Sequence, residues 1–109
     1  MPESVDIQLK KGALDLCVLA LLSRADGYAY EIANHLAEAI GMGEGTIYPL
    51  MRRMQTDGLV ETYLVESTAG PSRKYYRLTP KGRKMLVWEE SRWNRMVEAI
   101  ARVMRPAER

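Results

Sequence analysis

A mainly helical α+β domain is the fold class that the sequence predicts, on three observations. Three segments within residues 1–58 repeat apolar side chains at helical spacing, with glycine breaks between them. Two extended segments, 59–66 and 73–78, are rich in β-branched and aromatic residues and flank a Gly-Pro turn. A long helical segment, 80–104, opens at a Thr-Pro pair typical of a helix start. This order is that of a winged helix-turn-helix followed by a long C-terminal helix.

The first two helices differ in how much of their surface is apolar. The first, over residues 11–23, is apolar around its whole circumference, so it requires cover on every side and is expected to meet a second subunit in part. Asp26 and Gly27 interrupt the chain and are expected to cap the second helix, residues 28–40. Its predicted buried stripe has three- and four-residue spacing and comprises Tyr30, Ala33, Leu36, Ala37 and Ile40.

The third helix, predicted over residues 44–57, has a core face and an outer face. Gly58 is a typical C-terminal glycine. Pro49 places the helix start near Gly45, because proline is tolerated where an amide has no intrahelical partner. The core face comprises Ile47, Leu50, Met51 and Met54. The outer face comprises Gly45, Thr46, Tyr48, Pro49, Arg52 and Arg53.

The hairpin is predicted to have a loop over residues 67–72 and a basic tip at Arg73 and Lys74. Tyr75 and Tyr76 point to opposite faces of their strand, so one packs on the core and the other lies at the surface. The alternation does not decide which of the two is inside.

The last helix carries a seam of apolar residues at seven-residue spacing, which indicates a face that meets a partner helix. We therefore assign residues 1–79 to a winged helix, whose first helix also contributes to the dimer, and residues 80–109 to a dimerisation helix. The predicted dimer interface comprises Leu86, Trp93, Met96, Val97, Ile100, Val103 and Met104.

Composition and charge narrow the class of function. One cysteine and one histidine leave no set of residues for a metal site or a nucleophile–base pair, so we predict neither an enzyme nor a cofactor. A single cysteine fits a reducing cytoplasm, and no apolar run approaches the ~20 residues of a membrane-spanning helix. The net charge changes from −3 over residues 1–58 to +5 over residues 59–109. Such a basic half suggests a polyanionic partner, although charge alone fits a solvated face equally well.

The winged-helix order favours double-stranded DNA as that partner, with the third helix in the major groove. Gly45 allows close approach, Thr46 and Tyr48 carry hydroxyl groups, and Arg52 can bind guanine or a phosphate. The basic hairpin is expected to reach the flanking backbone or the minor groove. Tyr28 either offers its hydroxyl to a phosphate or is partly buried, with the two readings balanced. The predicted DNA-binding residues are Tyr28, Gly45, Thr46, Tyr48, Pro49, Arg52, Arg53, Arg73 and Lys74.

Two motifs resemble the PadR family of transcriptional regulators. Residues 44–54 (EGTIYPLMRRM) resemble the family's recognition helix, and residues 70–79 (GPSRKYYRLT) resemble its wing. Residues 8–12 (QLKKG) and 27–31 (GYAYE) are similar to its first two helices. Gly43 departs from a frequent serine, which weakens that N-cap. The short length and single terminal helix are similar to the small PadR subgroup.

The resemblance implies a homodimeric repressor that binds a pseudo-palindromic operator and dimerises through its last and first helices. It also implies that some members release DNA when a hydrophobic or phenolic small molecule binds. In small multidrug-sensing members, a tryptophan fourteen residues after the threonine that ends the wing lines a pocket at the dimer interface. Trp93 likewise lies fourteen residues after Thr79. Trp93 then either lines a slot for a planar aromatic or phenolic ligand or only fills the interface, whereas Trp88 is expected to cover its own subunit. The expected effector-binding residues are Trp93, Leu14, Val18, Met96 and Val97.

The leading hypothesis is therefore a dimeric, sequence-specific DNA-binding repressor. The alternative is a winged-helix adaptor that binds other proteins and does not contact DNA. Binding to duplex DNA with a steep salt dependence discriminates the two.

Overall fold

Four helices and a small antiparallel sheet make up the fold in a computed structural model. The structure describes residues 3–106, with side chains from Ala13 onwards. The elements in chain order are α1 (Glu3–Arg24), β1 (Gly27–Tyr28), α2 (Ala29–Ile40), α3 (Glu44–Thr56), β2 (Val60–Ser67), β3 (Gly70–Leu78) and α4 (Pro80–Met104). The predicted mainly helical α+β class is confirmed. The outer ends of the two predicted domains and the side chains of residues 8–12 lie outside the described part.

The core lies between the first three helices and the inner face of the sheet. The buried apolar side chains form one cluster. The partly buried Met85 and Leu86 of α4 pack at the edge of this cluster. The buried residues are Leu14, Val18, Leu19, Leu22, Ile32, Ala33, Leu36, Met42, Ile47, Leu50, Met51, Met54, Leu59, Val60, Tyr76 and Leu78. The predicted core face of α3 is thus confirmed.

The buried stripe of α2 is rotated relative to the prediction. Tyr30 is 54% exposed and Ala37 is also exposed, whereas Ile32, outside the predicted stripe, is buried beside Ala33 and Leu36. Both stripes have three- and four-residue spacing, so periodicity fits either one. The prediction of Tyr30 and Ala37 as buried was therefore wrong.

The start of α2 also differs from the prediction. Tyr28, and not Asp26 or Gly27, occupies the N-cap position, and its amide donates a 3.3 Å hydrogen bond to Glu31 Oε1. Gly27 and Tyr28 also pair with β3, which makes the sheet three-stranded in the order β1-β3-β2. A two-residue strand is too short to show an alternation, so the sequence predicted only a hairpin.

The start of α3 near Gly45 is confirmed, but Pro49 lies beyond the first turn. The helix begins at Glu44, which makes Pro49 its sixth residue. A proline there removes the amide that would bond to the Gly45 carbonyl. The helix ends at the C-cap Asp57, and Gly58 follows with a φ of 76°.

The hairpin turn is shorter than the predicted loop. β2 continues to Ser67 and β3 begins at Gly70. Pro71 lies in a bulge between the paired positions Val65–Arg73 and Ser67–Gly70, where its missing amide removes no ladder bond. Arg73 and Lys74 lie within the strand, as predicted, but because the strand begins at Gly70 they do not form the tip, which corrects that part of the prediction.

The first turn of α4 is fixed to the end of α3, and the predicted Thr79-Pro80 start is confirmed. Thr79 Oγ1 accepts a 3.0 Å hydrogen bond from the Gly82 amide and donates a 2.6 Å bond to the Gly58 carbonyl. The rest of α4 extends away from the core, and the chain measures 66 × 32 × 21 Å along its principal axes. Across residues 3–106, none of the helices has the length and apolarity needed to cross a membrane.

Candidate nucleic-acid interface

A closed turn holds α3 against α2. Gly41 ends α2 in the left-handed conformation, with a φ of 70°, and its amide donates a 3.0 Å hydrogen bond to the Ala37 carbonyl. Met42 is buried directly after it, and Gly43 is the N-cap of α3. The short connection therefore contributes to the core while it sets the angle between the two helices.

The outer face of α3 is open, as the sequence predicted. Gly45, Pro49 and Arg52 are exposed, and Thr46 and Tyr48 are half-buried beside them. A Cβ added at Gly45 would have no atom within 4 Å. The structure thus brings five of the predicted DNA-binding residues onto one accessible helix face.

Tyr48 stands at the edge of this face and packs partly against the core. Burial raises the pKa of its hydroxyl, and the nearby Glu44 and Tyr30 raise it further. The hydroxyl therefore keeps its proton at neutral pH and can donate a hydrogen bond outward.

Arg53 differs from its neighbour Arg52 because it is paired. Its Nη2 atom lies 2.9 and 3.0 Å from the two carboxylate oxygens of Asp15 on α1. Among the described residues, Arg52 has no ion-pair partner. Asp15 is 38 positions from Arg53 in the chain, and no sequence signal marked this contact.

The two neighbouring tyrosines of β3 take opposite faces, and Tyr76 is the inner one. Tyr76 is buried in the core, and Tyr75 is half-buried on the outer face of the sheet. Arg73 shares the outer face with Tyr75, whereas Lys74 lies on the other face with its Nζ atom 5.9 Å from the Tyr76 ring centroid. The two basic residues therefore do not form one patch.

Three tyrosines and two arginines form a continuous outer surface on the sheet, here called the tyrosine face. The Tyr75 ring lies 5.5 Å from Tyr28 and 5.8 Å from Tyr63, measured between centroids. Arg73 Cζ stands 4.6 Å from the Tyr28 centroid, and Arg77 Cζ stands 4.9 Å from the Tyr63 centroid. Tyr28 is thus half-buried on this surface, close to one of the predicted basic residues.

Two contacts at the margin of the tyrosine face were not predicted. Tyr63 Oη donates a 2.6 Å hydrogen bond to Asp26 Oδ2, and Arg77 Nε lies 3.0 Å from Glu61 Oε1. The hydrogen bond to Asp26 raises the pKa of Tyr63, with burial adding to the shift. The strand register is what places Tyr63 on this face, because it pairs Tyr63 directly with Tyr75.

The distal part of α4 carries an apolar face that nothing in the described chain covers. Trp93 is 42% exposed, and Met96, Val97, Ile100, Val103 and Met104 are more exposed still. Leu86, the first member of the predicted seam, instead packs partly on the core of its own subunit. A shallow apolar hollow on this helix is lined by Val97, Ile100, Met104 and Pro106 among others, and Trp93 is not among its lining residues.

Burial corrects two of the predicted effector-binding residues. Leu14 and Val18 are 3% and 0% exposed within their own subunit, so neither side chain is open to a ligand. The expectation that Trp88 covers its own subunit was also wrong. It is 54% exposed, and Arg92 stacks on its ring at 4.8 Å.

Known proteins share both this sequence pattern and this fold. The family model described as Transcriptional regulator PadR-like family matches residues 18–87. An uncharacterized protein from Lysinibacillus sphaericus is 30% identical over 94 residues, which cover 83% of this chain and 86% of that protein. The crystal structure of a PadR-like transcriptional regulator from Bacillus cereus is 34% identical, with a TM-score of 0.83 over 92% of this chain and 99% of that chain. A PadR-like transcription factor from Bacteroides fragilis is 40% identical, with a TM-score of 0.74 over 93% and 99% of the two chains.

Proposed function

Because the chain belongs to the PadR-like family of transcriptional regulators, we propose that it acts as a homodimeric, sequence-specific repressor that a small planar ligand releases from DNA. DNA-binding regulation follows from membership of the family. The dimer, the repression and the ligand response are finer proposals. The observation that carries DNA binding is the open outer face of α3, held on a closed core.

The outer face of α3 is proposed to lie in the major groove of a pseudo-palindromic operator. Arg52 is exposed and free of ion pairs among the described residues, which suits a bidentate contact to guanine. Gly45 has open space in place of a side chain, so the DNA backbone can approach the helix there. Thr46, Tyr48 and Pro49 complete the contact surface, while Arg53 divides its charge between Asp15 and a phosphate.

The sheet is proposed to contact the backbone that flanks the major-groove site. Arg73 and Tyr28 present a guanidinium and a hydroxyl from adjoining strands of the tyrosine face. Lys74 adds a positive charge on the opposite face of the same strand. Such contacts fix orientation and carry no sequence information directly.

A second copy of the chain is the proposed cover for the distal part of α4, over the predicted dimerisation segment 80–109. Exposed apolar side chains at helical spacing favour packing against another helix. A dimer also presents two copies of α3, as a two-fold symmetric operator requires.

Trp93 and its symmetry mate are proposed to bind a planar aromatic or phenolic effector, with Met96 and Val97 beside them. A half-exposed indole on an apolar helix face offers stacking and burial to a flat ligand. For release, the ligand must favour a dimer in which the two α3 helices stand at another spacing.

The effector proposal predicts that planar phenolic compounds quench tryptophan emission at micromolar concentration and weaken operator binding. Trp93→Ala should remain dimeric and lose both responses, because the stacking partner is gone. Trp88→Phe is the matched control and should keep both. A broad screen without quenching would leave Trp93 as interface filler.

Selection of bound duplexes from a random pool tests the DNA-binding proposal. The expected result is a two-fold symmetric site, bound with an affinity that falls steeply with salt. Arg52→Ala should change the selected sequence, whereas Arg92→Ala, which removes the same charge from α4, should not. No enrichment from the pool would favour the protein-binding adaptor.

A further inference from the structure

One hydrogen bond at the margin of the tyrosine face joins β2 to the residue that precedes β1, a strand that is not its neighbour. β3 separates β2 from β1 in the sheet, yet Tyr63 of β2 donates its hydroxyl proton to Asp26, immediately before β1. The 2.6 Å bond therefore crosses the whole width of the sheet at the surface. It ties the wing to the segment that leads into α2.

We propose that Asp26 and Tyr63 are positioning residues for DNA binding, which hold the Arg73 guanidinium and the Tyr28 hydroxyl at a fixed place on the surface. This inference rests on the proposed function, since it presupposes that the sheet contacts the backbone of the operator. Neither residue needs to touch DNA.

Ring contacts carry the position of Tyr63 across the sheet. Tyr63 stacks on Tyr75 at 5.8 Å with an angle of 27° between the rings. Tyr75 meets Tyr28 at 5.5 Å and 58°, and Arg73 stands 4.6 Å over the Tyr28 ring. A shift of the Tyr63 ring therefore displaces each of the next members in turn.

The electrostatic contacts distinguish Arg73 from Arg53 and Arg77. Arg53 is held by Asp15 and Arg77 by Glu61, so a carboxylate already neutralises each of them. Arg73 has no ion pair among the described residues and is held by the Tyr28 ring. A ring restricts the rotamers of the side chain while it leaves the positive charge available to a phosphate.

Packing of the hydrophobic core does not account for these contacts. Tyr63 and Tyr75 lie on the outer face, while the inner face of the same strands packs through Val60, Tyr76 and Leu78. The hydrogen bond to Asp26 raises the pKa of Tyr63, so the hydroxyl keeps its proton and remains a donor at neutral pH. The tie between the strands therefore persists in the conditions where the wing would act.

Tyr63→Phe tests the inference, because it removes the hydroxyl and keeps the stacked ring. We expect the dissociation constant for the operator to rise about threefold to tenfold, the range for one lost hydrogen bond. Asp26→Ala should have the same effect, and the double variant should be no worse than either single one. Asp26→Asn should restore most of the affinity, since its amide oxygen can accept the same proton.

A second background separates positioning from a general structural role. If Tyr63 acts through Arg73 and Tyr28, then Tyr63→Phe has no further effect on operator affinity in protein that carries both Arg73→Ala and Tyr28→Phe. A structural role would weaken binding equally in both backgrounds, which would overturn the inference. Unchanged affinity in Tyr63→Phe alone, with the parent protein bound to its operator, would overturn it and leave the proposed function intact. A parent protein that binds no duplex would overturn both.

Discussion

The two halves of α4 differ in what covers them. In the first half, Gly82 is buried, and Met85 and Leu86 pack on the core of the same subunit. In the second half, every side chain from residue 90 to residue 100 is exposed, although Trp93 and Ile100 are among them. One helix therefore packs on the core at one end and carries an exposed apolar face at the other.

This difference shows what a helical pattern alone can indicate. Apolar residues at helical spacing predict that a face is covered, and they do not say by which chain. Leu86 and Ile100 belong to the same predicted seam, yet Leu86 packs on its own core and Ile100 does not. The hydrogen bond from Thr79 to the Gly58 carbonyl fixes the start of α4 beside the core. The first turns of the helix, with Leu86, therefore lie against the core, and the later turns, with Ile100, extend beyond it.

Gly82→Ala should disrupt the packing of the first half of α4 on the core. We expect it to have the largest effect on stability of the variants considered. A Cβ at this position would overlap the Leu59 carbonyl oxygen, a backbone atom that cannot rotate away. We expect a loss of about 3 kcal/mol or more in the free energy of unfolding, at the upper end for overpacked sites. Urea denaturation measures it. Gly70→Ala is the control, since its Cβ would have no atom within 4 Å. Equal stability of the two variants would contradict the close packing at Gly82.

Ile100→Glu should break the exposed half without unfolding the subunit. A carboxylate buried between two helices costs several kcal/mol unless it is paired. We expect the mass by light scattering to fall to that of a monomer and operator binding to be lost. Ser91→Glu is the matched control, because nine residues place it on the opposite side of the helix. A dimeric Ile100→Glu protein would rule out this face as the interface.

Within the covered head, the predictable features are those that depend on local chemistry. The Thr79-Pro80 start and the core face of α3 follow from capping and from helical spacing. The rotation of α2 does not follow, because Tyr30 and Ile32 each fit an apolar stripe, and helical spacing alone does not decide between them. The same limit applies to α1, whose apolar circumference does not reveal that Leu14 faces its own core.

The candidate site was predicted on α3 and only in part on the sheet. The outer face of α3 follows from its core face by geometry, so Arg52 and Gly45 could be placed from the sequence. The tyrosine face depends on register, and a turn of two residues in place of a longer loop places the hairpin tip before Arg73. The Asp26–Tyr63 bond joins residues 37 positions apart, which no local pattern marks.

Arg52→Ala and Arg73→Ala should separate the two proposed DNA contacts. Arg52→Ala is expected to relax preference at one base position per half-site, at a cost of about 1–3 kcal/mol. Arg73→Ala should keep the preference and make the log–log salt slope shallower by roughly 2, at ~0.9 per phosphate and two subunits. Competition binding against mutated operators at several salt concentrations measures both. The reverse pattern would exchange the roles of α3 and the sheet.

Alkaline pH should weaken the tie across the tyrosine face by a smaller amount. Because the pKa of Tyr63 is raised above the ordinary value of 10.0, the folded protein keeps this proton when the unfolded chain has lost it. The stabilisation is complete below that ordinary pKa and is lost as the pH rises through the raised folded value. Above pH ~10, unfolding free energies from urea titrations should therefore fall more steeply in the parent protein than in Tyr63→Phe. If the unfolding free energies of the two proteins fall equally steeply with pH, the raised pKa of Tyr63 is contradicted.

Asp15→Asn should have the smallest effect on stability and a distinct effect on DNA binding. The Asp15–Arg53 pair is about half exposed, so its loss should change the free energy of unfolding by about 0–1 kcal/mol. Removing the carboxylate releases Arg53 for a phosphate. We therefore expect tighter binding to non-specific duplexes and a log–log salt slope steeper by up to roughly 2 per dimer. Adding Arg53→Ala should abolish the gain, whereas Glu98→Gln, which removes a carboxylate from the Arg102 pair on α4, should not reproduce it. If Asp15→Asn binds DNA like the parent protein, Arg53 stays with α1 by packing and not by charge.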